Sequence, residues 1–253
     1  MRDSPGYTLF FAASVCVVCS IVVSASAVSL RGAQAANRKL DRQSKVLKAA
    51  GLTNRAEDRD DDRVRALYER QVDAQRIALK SGKKVAASEG DEGDEGEQPA
   101  PANKAGLVRI PTHREVYLVR SEERGETLVL PVEGKGLWST MRGFLALDAE
   151  DLNTVRGMEF YEHGETPGLG GEIDNPRWKS RFRGRKAFDD EGKPALRVAR
   201  GPVGSPEQDP HQVDALTGAT ITARGVSNLL SFWLGDDGYG PLLKRLEKER
   251  KTP

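Results

Sequence analysis

From Ser4 to Leu30 the chain has no charged side chain, and Phe10 to Val28 is almost wholly apolar or small. About 20 helical residues at 1.5 Å each cross a hydrocarbon core of about 30 Å. The pattern therefore predicts a membrane-spanning helix at residues 8–30, behind a short N-terminal tail, 1–7. A secretory signal peptide is the competing reading, because Ser24-Ala25-Ser26-Ala27 looks like a small-residue cleavage site. The length of the uncharged stretch and its weakly basic start, Arg2 and Asp3, favour a retained anchor.

Beyond the span, residues 35–80 alternate charges with Leu, Val, Ala and Tyr, as in Val64-Arg65-Ala66-Leu67-Tyr68. That reads as exposed helix, interrupted at Gly51, within a membrane-proximal region 31–87. The run Glu89 to Glu97 carries only Glu, Asp and Gly, and Pro99 and Pro101 follow it. Charge repulsion with Gly and Pro predicts an extended linker, 88–109. A folded domain is expected over 110–245, with a tail at 246–253.

Within that domain, Glu115–Arg120 and Thr127–Val132 are β-rich runs joined by a polar stretch, a predicted hairpin. Further strands are expected at Gly143–Leu147, Val155–Glu162 and Leu196–Arg200, and short helices at Asp148–Leu152 and Pro176–Phe182. Val226, Leu229, Leu230 and Trp233 recur at i, i+3, i+4 and i+7, which gives a helix one apolar face, stopped at Gly235. The expected fold class is α+β: a mixed, largely antiparallel sheet with flanking helices, preceded by one N-terminal transmembrane helix.

Composition narrows the function. Lys and Arg number 39 against 38 Asp and Glu, so the basic footprint of a nucleic-acid binder is missing. Cys16 and Cys19 both lie in the apolar span, where their C-x-x-C spacing reads as small apolar filling rather than a metal or redox motif. The charges flanking the span put Arg31, Arg38, Lys39, Arg42, Lys45 and Lys48 after it and only Arg2 before it. Positive-inside counting alone would place the large domain in the cytoplasm.

Two runs carry candidate chemistry. Leu216-Thr217-Gly218-Ala219-Thr220-Ile221-Thr222-Ala223 is a turn leading into the last helix, with three hydroxyls and a glycine that lets backbone approach a ligand. Unpaired N–H groups and the dipole at a helix start favour a phosphate. The plain alternative is that Thr220 or Thr222 is the helix N-cap, and the spacing leaves both open. Glu162-His163-Gly164-Glu165-Thr166-Pro167-Gly168-Leu169-Gly170-Gly171-Glu172 is a shaped loop. It is either a backbone-lined pocket for a flat ligand or a purely structural loop. It lacks the third glycine and the βαβ setting of a dinucleotide fingerprint, and its histidine and glutamates make a poor metal set.

Four blocks in order support a resemblance: Gly134-Lys135-Gly136-Leu137-Trp138-Ser139-Thr140-Met141, the Phe160 to Glu172 run, the Asp214 to Thr222 run, and Phe232-Trp233-Leu234-Gly235. Together they resemble the C subunits of the bacterial sodium-translocating NADH:quinone reductase, within the wider family of covalent FMN-binding domains. The resemblance implies one FMN per chain, joined as a phosphodiester to the Thr220 hydroxyl by a flavin transferase that cleaves FAD. Asp214, Thr217, Gly218 and Ala219 match the motif that the transferase reads, and Thr217 and Thr222 are expected to donate to phosphate oxygens. Glu165, Thr166, Gly168, Leu169 and Gly170 are expected around the flavin ring, with Trp138 either flanking it or lying in the core. The implied role is electron relay from NADH toward quinone, coupled to sodium export, alongside the other subunits of a membrane complex. No residue is expected to act as a catalytic acid or base, no metal is called for, and the chain alone should lack NADH dehydrogenase activity. The G subunits of the related ferredoxin:NAD complex share the threonine motif, and a non-redox anchored binding module is the alternative of another class. The resemblance places the flavin domain on the periplasmic side of the inner membrane, against the charge count; partner subunits can fix such a topology.

Overall fold

A computed structural model describes residues 4–53, 60–85 and 95–251. The apolar stretch opens a single helix, α1 (Pro5–Ala49), whose apolar window is exposed throughout. The helix runs past the expected end at residue 30, because the charged residues that follow are good helix formers. It closes at Gly51, whose φ of +78° is the left-handed conformation of a helix C-terminus. The chain divides into two compact units, Met1–Arg42 and Gln43–Pro253.

In the second unit, α2 (Asp61–Gln71) starts at Asp60, whose carboxylate accepts from the Arg63 N–H at 3.1 Å. The exposed helix expected to continue to residue 80 ends there. Val72–Ala78 is instead β1, an edge strand paired antiparallel with His113–Val119. Strand formation here is decided by a partner some 40 residues away, which local charge alternation does not reveal.

The linker expectation is also revised. Residues 88–94 lie outside the described residues, but Glu97–Pro99 forms β2 and pairs with β3 (Arg109–Pro111). Glu97 accepts from Arg109 Nε at 2.6 Å, Glu95 pairs with Arg114 at 2.8 Å, and Ala105 is buried. Glu95 and Glu97, two of the acidic side chains that suggested self-repulsion, find cations across the fold, so regular structure begins before residue 110.

The main sheet adds β4 (His113–Ser121), β5 (Gly125–Lys135), β6 (Thr140–Asp148) and β7 (Val155–Glu162). Its order is β1-β4-β5-β6-β7, antiparallel throughout. The helix expected at Asp148–Leu152 is a turn: Asp148 accepts from Glu150 N at 2.8 Å, Asp151 accepts from Asn153 N at 2.9 Å, and Leu152 has φ of +54°. Short acidic side chains here compete for the N–H groups a helix would need. Pro176–Phe182 shortens to α3 (Pro176–Ser180), with Asn175 as N-cap. The short strands β8 (Arg197–Val198) and β9 (Gln212–Val213) pair in parallel. Then come α4 (Thr220–Leu234) and α5 (Gly240–Lys251), which takes in most of the expected tail. The fold is α+β as expected.

Period-two alternation splits the sheet's side chains between two cores. Val116, Leu128, Leu130, Leu145 and Leu147 meet Val226, Leu229, Leu230 and Trp233 of α4. Tyr117, Val119, Val129, Phe144 and Ala146 face Val46, Ala49 and Ala50 near the end of α1. α4 lies close on β5: a Cβ on Gly225 would stand 2.5 Å from the Lys135 carbonyl oxygen. That approach sets the start of α4 beside the β5–β6 turn.

Candidate functional site

The first residue of α4 is Thr220, and the N-cap is Ala219, with no side-chain cap. Thr220 is exposed and takes no part in capping, which removes the plain alternative for this residue. Gly218, at φ +71°, makes the turn that delivers the chain into the helix, a conformation costly for any residue with a Cβ.

Three segments converge here: the β5–β6 turn (136–139), the loop after β7 (163–171) and the start of α4. They are joined by Glu165, which is 5% exposed. Its Oε1 accepts from Trp138 N at 3.0 Å, and its Oε2 accepts from Leu137 N at 3.2 Å and from the Thr222 hydroxyl. Burial by itself would push the Glu165 carboxyl up. The Thr222 hydroxyl and the N–H groups of Trp138, Leu137 and Ser139 outweigh it and hold the group below the ordinary carboxylate value.

The loop is shaped from within. The Thr166 carbonyl accepts from Leu169 N at 3.1 Å and Gly171 N at 2.9 Å. Ser139 Oγ accepts from Gly164 N at 2.6 Å. The residues 170–174 form a 3-10 turn. His163 contacts Asp174 through Nε2 at 2.8 Å, and its Nδ1 faces the Glu165 N–H at 3.2 Å, so both ring nitrogens are engaged. Among the described residues no group of His, Cys, Asp and Glu is gathered as a metal site.

The three converging segments carry exposed apolar side chains. Trp138 is 67% exposed, and Leu137, Leu169 and Ile221 are also exposed. Leu169 reaches the Gly218 turn, 3.0 Å from where a Cβ would stand. Trp138 is therefore not a core residue. Leu137 and Ile221 were not expected in the site; both lie inside quoted motifs, but nothing in a one-dimensional pattern says that such residues stay exposed.

On the other side of the motif, a groove of about 440 Å³ is lined by Gly168, Asp214 and Thr217 together with Arg177 and Arg181. Asp214 accepts from Val203 N at 2.8 Å and pairs with Arg181 at 3.2 Å, while its carbonyl accepts from Trp178 Nε1 at 2.8 Å. The structure thus brings the expected residues into one region, but Thr222, Glu165 and Gly170 face inward rather than toward a ligand. Thr222 is fully buried and donates a hydrogen bond from its hydroxyl to Glu165, so it is not an outward donor to a phosphate. Glu165 likewise points inward.

A flat, amphipathic, phosphate-bearing group fits these features. Exposed aromatic and aliphatic side chains offer a face for a ring, and an uncapped helix start offers N–H groups to an anion.

Comparison with known proteins agrees. The family model described as FMN-binding domain matches residues 136–235. The chain is 42% identical to the C subunit of the Na(+)-translocating NADH-quinone reductase of Pseudomonas aeruginosa, covering 98% of each chain. It is 40% identical to the protein of the same name from Vibrio anguillarum, covering 97% of this chain and 96% of that one. The crystal structure of Shewanella oneidensis NqrC superposes with a TM-score of 0.76 at 32% identity, over 84% of this chain and 99% of that one. With this identity over nearly the full length of both chains and a shared fold, the chain belongs to the family of C subunits of the Na(+)-translocating NADH-quinone reductase.

Proposed function

We propose that this protein is the membrane-anchored electron-transfer subunit of a sodium-translocating NADH:quinone reductase, with FMN joined covalently to Thr220. The observation that carries the reading is the exposed, non-capping Thr220 at the start of α4, on a segment whose Thr222 shares the Glu165 carboxylate with the turn that carries the exposed Leu137 and Trp138. Bound FMN supplies the redox chemistry, accepting electrons and passing them on. The chain itself holds and shields the group. Thr220 Oγ would hold the group as an ester to its phosphorus, the hydroxyl proton and AMP being released when FAD is the donor. The first-turn N–H groups of α4 would hold the phosphate's charge, with the exposed Thr217 on the turn before them. The exposed apolar side chains would offer the ring a face, with the exposed Gly168 and Leu169 supplying backbone at the loop. Asp214, tied to Arg181 and the Val203 N–H, holds the shape of the segment that a flavin transferase reads.

The other subunits of the complex are the natural electron partners, and the flavin domain is assigned to the periplasmic side, where the transferase works. In-gel fluorescence of denatured protein tests the attachment. Wild type and Thr220→Ser should keep a flavin signal, and Thr220→Ala should lose it. Equal fluorescence in wild type and Thr220→Ala would overturn the site.

A further inference from the structure

A buried carboxylate is unfavourable unless its lone pairs are filled. Glu165 fills both oxygens from two separate parts of the chain, the Leu137–Trp138 turn and Thr222 in the first turn of α4. Its surroundings are shaped for it. A Cβ on Gly136 would stand 2.5 Å from Oε1, and one on Gly170 would stand 2.8 Å from Oε2. The two backbone segments close on the carboxylate only because neither carries a side chain there. Trp138 takes part in this contact through its N–H, and Thr220 lies two residues before Thr222.

We propose that Glu165 is the positioning residue of the site: its carboxylate sets the Trp138 turn and the start of α4 in the relative placement that flavin attachment at Thr220 requires. The proposal rests on the flavin reading above, but it assigns Glu165 no contact with the flavin. Its action passes through Thr222 and the turn N–H groups. The amide of Glu165→Gln keeps one acceptor oxygen for the turn and can donate to the Thr222 hydroxyl, whereas Glu165→Ala keeps nothing.

The test uses the full chain in membranes with two readouts. One is the rate of flavin incorporation with FAD and the transferase. The other is acrylamide quenching of the Trp138 emission in flavin-free protein, identified as the component absent from Trp138→Phe. Loss of charge-assisted hydrogen bonds predicts that Glu165→Ala and Thr222→Val slow incorporation about tenfold or more. Both should also change Trp138 quenching, and Glu165→Gln should recover to within about threefold of wild type by the same reasoning. Glu165→Ala that only melts lower, with wild-type incorporation and quenching, would overturn the proposal. If Glu165→Ala fails to fold, Thr222→Val decides, and wild-type behaviour in both readouts overturns it. If wild type itself takes no flavin, the flavin reading fails, while the quenching comparison still decides whether Glu165 positions the turn.

Discussion

Asp151 shows how one side chain can redirect the backbone. Its Oδ1 accepts from Asn153 N and Thr154 N at 2.9 and 2.7 Å, and its Oδ2 receives the Thr154 hydroxyl and Lys186 Nζ. Burial opposes the charge, but the Thr154 hydroxyl and the two N–H groups prevail and hold the carboxyl at about 2. A folded-state value below that of the unfolded chain, near 3.9, contributes stability at neutral pH that is lost as pH falls from about 4 toward 2. Asp151→Asn should therefore melt lower than wild type at pH 7, and the gap should narrow below about pH 4. Thermal melts of both proteins across that range measure it, and a gap independent of pH would refute the assignment. The site residues follow the same logic at this scale. Thr220 and Thr222 are two positions apart in one motif, yet one is exposed and the other donates into a buried carboxylate. A motif names residue types and cannot say which hydroxyl faces out.

Elements are held to one another by contacts with no local signature. Glu159 on β7 accepts from Lys179 of α3 at 2.6 Å and from Lys45 of α1 at 3.2 Å, with its side chain 9% exposed. Burial lowers the Lys179 pKa, against the pull of Glu159. Glu159→Gln leaves two partly buried ammonium groups without their anion, and the expected loss is about 3 kcal/mol, read by denaturant unfolding. A change under about 0.5 kcal/mol, the range of an ordinary surface substitution, would show that water replaces the pair. The contact of α4 with β5 is steric rather than ionic. Gly225→Ala puts a methyl 2.5 Å from the Lys135 carbonyl oxygen, and overpacking of this kind costs about 1–3 kcal/mol. Because α4 carries Thr220, the same variant should also reduce flavin incorporation, measured by fluorescence per mole of folded protein. Arg114 is a further tie with no signal in the local sequence pattern. It lies 7% exposed over the Trp233 ring at 5.2 Å, between Glu95 and Glu133.

For the whole molecule, the membrane-spanning helix and the flavin domain pose the question of topology. Basic residues crowd the C-terminal side of the span, which by charge alone argues for a cytoplasmic domain. The proposed function requires the opposite, with the orientation fixed by assembly with partner subunits. A phosphatase fusion at the C-terminus, expressed with those subunits, should be active outside the cytoplasm; activity confined to a cytoplasmic reporter would reverse the assignment.

The span, the β4–β5 hairpin, the amphipathic face of α4 and the threonine motif are legible from the chain alone, because each rests on a local period, a turn or a contiguous run of residue types. The resemblance carried by four ordered blocks extended that to the family. What only the tertiary structure decided was long-range. β1 became a strand because β4 lies beside it, and residues 95–109 joined the fold because Arg109 and Arg114 answer their acidic charges. Trp138 stayed exposed on a turn whose N–H donates to Glu165, and Thr222 turned inward to the same carboxylate. Each of these outcomes depends on a partner far away in the chain, and burial and hydrogen-bond direction are properties of that pairing rather than of either segment.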